Sequence, residues 1–325
     1  MTRRQLSQQQ ALRVRKRQEQ RRQCMDDDSN TDNGQTGLII SHYGKVAVVE
    51  SEDGILRRCS LRRHIETLAC GDRVIWETTA DGQGVITALQ PRQSLLQRPD
   101  SHGHLRPVAA NIDQIAVIIA PYPPASPALI DRYLVAIEAI AVTALLVLNK
   151  VDLLTGAEHA AWRERLAVYP RIGYPIIETS TRQSGGLDRL VAALAERTSL
   201  LVGQSGVGKS SLIQTLLPER AIRTQALSTT TGLGTHTTSV STLYPLSTGG
   251  KLIDSPGVRS FEPSAVDVAD LAGCFREFRP FLAHCRFANC RHTAEPGCAV
   301  LAATQRGEIH PQRLASYHTL HHSFQ

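Results

Sequence analysis

The segment Gly203-Gln204-Ser205-Gly206-Val207-Gly208-Lys209-Ser210 constrains this chain more than any other. It matches G-x-x-x-x-G-K-[ST], follows the apolar run SLLV and continues as Ser211 and LIQTLL. A buried strand, a glycine-rich turn and a helix N-terminus must therefore meet at one point. Converging backbone N–H groups of such a loop, with the positive end of the helix behind them, hold phosphate oxygens. Lys209 can reach the β- and γ-phosphates, and Ser210 is placed to ligate Mg²⁺. Such strand-loop-helix units belong to a mainly parallel sheet covered by helices on both faces.

The flanking sequence continues that alternation. DQIAVIIA (113–120), TALLVLNK (143–150), PIIETS (175–180), SLLVG (199–203) and KLIDSPG (251–257) read as strands. Residues 128–141, 157–169, 187–197 and 209–217 read as helices, so the expected class of this part is α/β. One strand ends in Asn149-Lys150-Val151-Asp152. A carboxylate at Asp152 can accept hydrogen bonds from N1–H and the exocyclic amino group of guanine, a pattern adenine lacks. The loop Thr179-Ser180-Thr181 is a candidate to support the guanine oxygen from its backbone. Asp254-Ser255-Pro256-Gly257 closes the set, with Asp254 expected at the magnesium shell and the Gly257 N–H at the γ-phosphate. These residues point to GTP with magnesium. In most GTPases the phosphate loop precedes the base-reading motif, whereas NKVD at 149 here comes before the loop at 203. The expected domain is circularly permuted, with one spatial site and its chain ends moved elsewhere. Whatever follows Gly257 is then coupled directly to the γ-phosphate.

Ahead of this part, TGLIISHY, KVAVVES, ILRRCSL, DRVIWETT and GVITALQ alternate between turn signals, as five strands of a small OB-type barrel would. Tyr43 and Trp76 can stack on bases and Arg57, Arg58, Arg62 and Arg63 can touch phosphates; equally, the aromatics can be core and the arginines solvated. Residues 91–110, rich in Pro, Arg and His, read as a linker. The whole chain carries a net charge of +6, yet residues 1–25 alone hold eight Lys and Arg against Glu19. That arm, followed by Asp26, Asp27, Asp28 and Asp32, is too polar to offset the entropy of ordering, and reads as disordered until it meets phosphates. It contains no apolar stretch of a secretory signal, and the longest apolar run, 143–148, is far short of a membrane span. The expectation is a cytoplasmic protein.

Seven cysteines are an odd number, and Cys285, Cys290 and Cys298 crowd together with His292 near the C-terminal end. Three thiolates and one imidazole at this spacing suit a closed tetrahedral Zn²⁺ site better than a disulfide framework. His284 lies outside the spacing, and RLASYHTLHHSF reads as a helix with surface histidines. The expected organisation is multidomain, α/β and β: a basic arm (1–35), an OB-fold barrel (36–92), a permuted GTPase domain (93–272), and a zinc-binding module with a C-terminal helix (273–325).

The arm, the barrel and the pieces AANIDQIAVI, LNKVDLL, GQSGVGKSSL, GLGTHTT, IDSPGVR and CRFANCRHTAEPGCAV, in that order, resemble one family over essentially the whole chain: the ribosome small-subunit-dependent GTPase A family. The resemblance implies a GTP hydrolase stimulated by the small ribosomal subunit, acting in late maturation of that subunit and touching ribosomal RNA through barrel and zinc module. It also implies that His236 positions the attacking water and that Thr237 or Thr238 closes on Mg²⁺ and γ-phosphate, with Lys209 stabilising charge. Thr235 and Ser239 depart from the family's usual switch residues, and Val258 stands where many GTPases carry a water-orienting Gln. A GTP-gated RNA-binding checkpoint, in which hydrolysis serves only release, remains a second reading. The protein is expected to act as a monomer.

Overall fold

The structure is a computed structural model that describes residues 34–323 apart from 64, 66, 80–81, 101, 222–226, 228–239 and 256–265. The basic arm and the switch residues His236, Thr237, Thr238 and Gly257 lie outside the described residues. Strands β1 (Gln35–Tyr43), β2 (Val46–Ser51), β3 (Leu56–Leu61), β4 (Arg73–Thr78) and β5 (Gly84–Leu89) come first in the chain. β1 pairs antiparallel with both β2 and β4, while β3 runs parallel to β5 and β5 antiparallel to β4, which closes a barrel of the expected OB type. Ile39, Ala47, Val49, Cys59, Val74, Trp76 and Ile86 fill it.

Trp76 is only 1% exposed and its Nε1 donates to Thr36 O at 3.3 Å, so it is a core residue and not a platform for bases. The Arg57 guanidinium lies 5.3 Å from the Trp76 ring centroid and pairs with Asp53, and Arg62 pairs with Glu77. Tyr43 is half-buried against the larger core, whereas Arg58 and Arg63 are exposed. The linker expected at 91–110 is also corrected. It contains an antiparallel hairpin, β6 (Leu95–Pro99) and β7 (Leu105–Ala110), anchored by buried Leu96, Ala109 and Ala110. Its prolines are tolerated because a two-stranded ribbon leaves alternate N–H groups unpaired. Asp100 shapes the tip, accepting from the His102 and His104 N–H groups and pairing with Arg106.

The chain then alternates as expected: β8 (Gln114–Ile119), α1 (Pro127–Ala139), β9 (Thr143–Asn149), α2 (Gly156–Leu166), α3 (Val168–Arg171), β10 (Ile176–Thr179), α4 (Asp188–Leu194), β11 (Thr198–Val202), α5 (Lys209–Leu216), β12 (Thr242–Pro245) and β13 (Lys251–Asp254). The sheet runs β10-β9-β8-β11-β13-β12, parallel except for β12, and β1 of the barrel pairs onto β12 through Ser41 and Thr242. Every residue of β8 is buried, as in a strand covered on both faces. On one face Ile115, Val117 and Leu146 meet Ile130, Leu134 and Ile137 of α1. On the other, Ala116, Ile118 and Val147 meet Leu190 and Leu194 of α4 and Leu212 and Ile213 of α5. Ser126 caps α1 by accepting from Leu129 N–H with Pro127 at the first turn, and Thr155 with Glu158 forms a capping box on α2.

The edge strand β10 is fastened to α2 by Glu178, with Arg163 Nε at 2.8 Å and His159 Nε2 at 2.9 Å. The Arg163 hydrogen bonds, assisted by His159, hold the Glu178 carboxyl below its ordinary value of 4.5. A carboxylate lowered on folding contributes stability above its unfolded value and loses it as pH falls through the folded one. Glu178→Gln is therefore expected to lower the melting temperature by about 2–4 °C at neutral pH, for about 1 kcal/mol from a part-exposed pair. The difference from the unsubstituted protein should close as pH drops below 4.5; thermal melts of both proteins across that range check it.

Past the sheet, α6 (Arg279–Leu282), α7 (Ala299–Gln305) and α8 (Pro311–Ser323) pack around Phe275, Phe278, Val300, Ile309, Tyr317 and Leu320. This module is clamped to α1. Arg313 of α8 is fully buried, bonded to Asp131 of α1 and, at 2.5 Å, to Glu277. Arg276 and Arg279 both reach Glu138 of α1, at 2.6 and 2.7 Å, and Arg276 also stacks 4.2 Å over the Tyr174 ring. His321 was expected on the surface but is buried, 5.8 Å from the Tyr317 ring centroid, because α8 turns that face into the module.

Candidate nucleotide site and metal centre

The parallel strands bring their carboxyl ends to one edge, where open α/β sheets hold ligands. Asn149 at the end of β9 lies in register with Thr179 at the end of β10, and the loop 203–208 leaves the end of β11 next to them. Two glycines shape that loop. Gly203 has φ +145° and a Cβ there would stand 2.3 Å from Ile118 O; Gly208 has φ +95° and a Cβ would stand 2.4 Å from Asn149 Nδ2. Only glycine fits either place. Val207 is buried beneath the loop, while Ser205, Gly206, Ser210 and Ser211 are exposed at its rim.

Asn149 is 2% exposed and joins the two halves of the site. Its Nδ2 donates to Val207 O at 2.9 Å and its Oδ1 accepts from Thr179 Oγ1 at 3.1 Å. Lys150, in the left-handed region at φ 61°, donates from Nζ to Gly206 O and to Tyr122 O. Val151 opens a short 3-10 turn, 151–153, that presents Asp152. Asp152 Oδ1 accepts from Ser180 Oγ at 2.6 Å, so the two predicted base-reading residues are in contact. Ser180 is fully buried, its own N–H is bonded to Gly186 O, and its hydroxyl also accepts from the Arg182 N–H at 3.1 Å. Lys209 Nζ donates to Gly203 O and Gln204 O, at 2.6 Å each, across the mouth of the loop. Asp254, at the end of β13, accepts from the Arg220 guanidinium, and Ser255 Oγ is 2.8 Å from Ser241 Oγ.

Three side chains make contacts that the motifs do not signal. Gln204 Nε2 donates to Pro123 O at 2.7 Å, which fastens the phosphate loop to the segment after β8. The proline-rich stretch APYPP, directly after a buried strand, could have marked that segment as a rigid wall. Thr179 acts through its side chain, and Arg220 stands in no motif at all.

In the C-terminal module the ligand atoms of Cys285, Cys290, His292 and Cys298 all lie within 4.8 Å of one another. His292 Nδ1 is 3.6 Å from Cys285 Sγ and 3.4 Å from Cys298 Sγ. Metal bonds of about 2.3 Å to sulfur and about 2.0 Å to nitrogen give tetrahedral edges near 3.6 Å, so the set fits zinc. Burial lowers the His292 pKa, keeping the imidazole neutral and its lone pair available. Burial, and then the neighbouring Cys298 and Cys285, pushes the Cys290 thiol up to about 12, a cost that a divalent cation reverses. Glu295 fixes the intervening loop: burial acts to raise its pKa, but backbone N–H groups including those of Arg291, Thr293 and Ala294 prevail and hold it at about 2. His318 Nε2 lies 2.7 Å from His292 O, and His284 stands outside the cluster.

A family model described as RsgA GTPase matches residues 89–264. The small ribosomal subunit biogenesis GTPase RsgA of Chromohalobacter salexigens is 50% identical, covering 98% of this chain and 97% of its own length. The protein of the same name from Azotobacter vinelandii is 47% identical, covering 98% and 96%. Among solved structures, YjeQ from Thermotoga maritima superposes with a TM-score of 0.74 at 29% identity, over 90% of this chain and 98% of that one. YloQ, described as a circularly permuted GTPase, superposes with a TM-score of 0.72 at 26% identity, over 91% and 96%. With the permuted site and the Cys/His cluster in place, these matches assign the chain: it belongs to the RsgA GTPase family.

Proposed function

We propose that this protein hydrolyses GTP to GDP and phosphate on the small ribosomal subunit, in the cytoplasm and late in maturation of that subunit, touching ribosomal RNA through the barrel and the C-terminal module. The observation that carries this reading is Asn149. Its amide ties the end of β9, just before the turn that presents Asp152, to the phosphate loop 58 residues later, which supports one shared site for base-reading and phosphate-holding groups.

Asp152, with Ser180 behind it, accepts the two N–H groups of the guanine edge, and Lys150 flanks the base. Residues Gly203, Gln204, Ser205, Gly206, Val207, Gly208, Lys209, Ser210 and Ser211 wrap the phosphates with backbone N–H groups and the α5 N-terminus. The Ser210 hydroxyl and the Asp254 carboxylate are hard oxygen donors, the chemistry magnesium takes, and the ion neutralises charge on the β- and γ-phosphates when bound. Lys209 leaves the Gly203 and Gln204 carbonyls to meet charge developing on the leaving oxygens. In the reaction water attacks the γ-phosphorus in line, the bond to the β–γ bridging oxygen breaks, and that oxygen carries its electron pair away on GDP. His236 is the candidate to orient the water, with Thr237, Thr238 and the Gly257 N–H closing on the γ-phosphate and its metal. Zinc at Cys285, Cys290, His292 and Cys298 staples the C-terminal module.

Guanine offers two donors at this edge, whereas xanthine offers one donor and one acceptor. Asp152→Asn is therefore expected to weaken GTP binding about a hundredfold, from charge-assisted hydrogen bonds worth about 1.5–3 kcal/mol each, and to strengthen binding of the xanthine nucleotide. Competition titrations with both triphosphates measure it. Co-sedimentation tests the partner: the GTP-analogue form is expected to pellet with small subunits and the GDP form to stay behind. Equal binding to large subunits, or none to small ones, overturns the reading.

A further inference from the structure

Arg220 lies beyond the C-terminal end of α5, and Asp254 ends β13. The guanidinium donates from Nη2 to Asp254 Oδ2, and its carbon stands 5.7 Å from the centroid of the Tyr244 ring on β12. The Asp254 side chain is 16% exposed and that of Arg220 is 40% exposed, so the carboxylate is tucked in while the cation reaches it from the solvent side. Asp254 is the same carboxylate that the proposed function gives to the magnesium shell. Two cations then share one carboxylate. A guanidinium in hydrogen-bond contact covers one of its oxygens, and its charge repels a divalent ion brought within a few ångströms.

We propose that Arg220 is a positioning residue that competes with magnesium for Asp254, so that the magnesium dependence of nucleotide binding in this protein is set by how readily Arg220 lets go. The Tyr244 ring gives the released guanidinium a place to stay, because an aromatic face holds a cation without neutralising it. Arg220 need not unfold anything to move. It is partly exposed and carries a long, flexible side chain, and its contact with Tyr244 does not depend on Asp254. The inference rests on the magnesium role of Asp254 and adds a competitor to it.

The test uses the full chain loaded with a fluorescent N-methylanthraniloyl GDP, whose release rate is followed while Mg²⁺ is raised from micromolar to ten-millimolar. The readout is the Mg²⁺ midpoint for slowing release, which requires no turnover. Arg220→Gln is expected to move that midpoint about fivefold lower, the scale of a part-exposed ion pair. Arg220→Lys, which keeps the charge but loses the forked geometry, should move it in the same direction by less, and serves alone if the Gln variant does not fold. An unchanged midpoint in these variants overturns the competition. A midpoint moved upward overturns it too, since Arg220 would then be holding Asp254 in place for the metal. Release from the unsubstituted protein that ignores Mg²⁺ altogether removes the magnesium role of Asp254 itself, and the competition falls with it.

Discussion

Lys209→Ala is expected to reduce GTP turnover by about a hundredfold to a thousandfold, the usual cost of removing one preorganised group from developing transition-state charge. The position of Nζ sets this effect. It sits over the mouth of the phosphate loop, donating to the carbonyls of Gly203 and Gln204, within reach of the place where phosphate oxygens gather. Nucleotide affinity should fall by much less than turnover, because the backbone N–H groups of 203–208 and the Asn149 tie that shapes them remain. Single-turnover rates beside fluorescent-nucleotide titrations separate the two effects. A variant that binds GTP weakly but hydrolyses what it binds at the normal rate would remove Lys209 from the chemistry.

Removing the zinc site is the second large effect. Structural zinc in small modules supplies about 10–16 kcal/mol of apparent folding free energy, a contribution added to the core around Phe275, Phe278, Val300, Ile309, Tyr317 and Leu320. Cys290→Ser is expected to abolish metal binding at the proposed zinc site and to unfold α6 to α8, seen as lost amide-exchange protection there. The phosphate loop should stay folded, since β8, β9 and β11 and the helices α4 and α5 bury it independently. The α1 face that meets Arg313, Arg276 and Arg279 would lose its partners, leaving Asp131 and Glu138 without their counter-ions. The melting transition should then split in two, the first at low temperature. Metal analysis that finds no zinc in the unsubstituted protein, with α7 and α8 fully protected, contradicts this assignment.

Chemistry that is local in sequence was legible; burial that depends on distant partners was not. The phosphate loop and NKVD are short motifs whose residues act together, and both stand where the strand ends were expected. The permutation could be read because it is a matter of order alone. Asn149 was legible as part of a motif, but not as the tie between β10 and the phosphate loop, since both of its partners are far away in sequence. Trp76 could be core or a base platform from its type alone. Its parity with Val74, two residues earlier on β4, was the available sign that it faces inward. Arg313 in PQRLASYHTL looks like any solvated arginine, and only the approach of α1 and Glu277 makes it a buried ion-pair centre. The hairpin at 95–110 was hidden by its prolines and by strands too short to establish a period.

The central claim is that a guanine-phosphate site assembled across a permuted chain is switched on by the small ribosomal subunit. GTP turnover measured with and without purified small subunits, with large subunits and Lys209→Ala as controls, tests it most directly. The account predicts slow turnover alone and a strong stimulation by small subunits only, lost in the variant. Tight GTP binding with turnover that no subunit changes, or that both subunits raise alike, would contradict it.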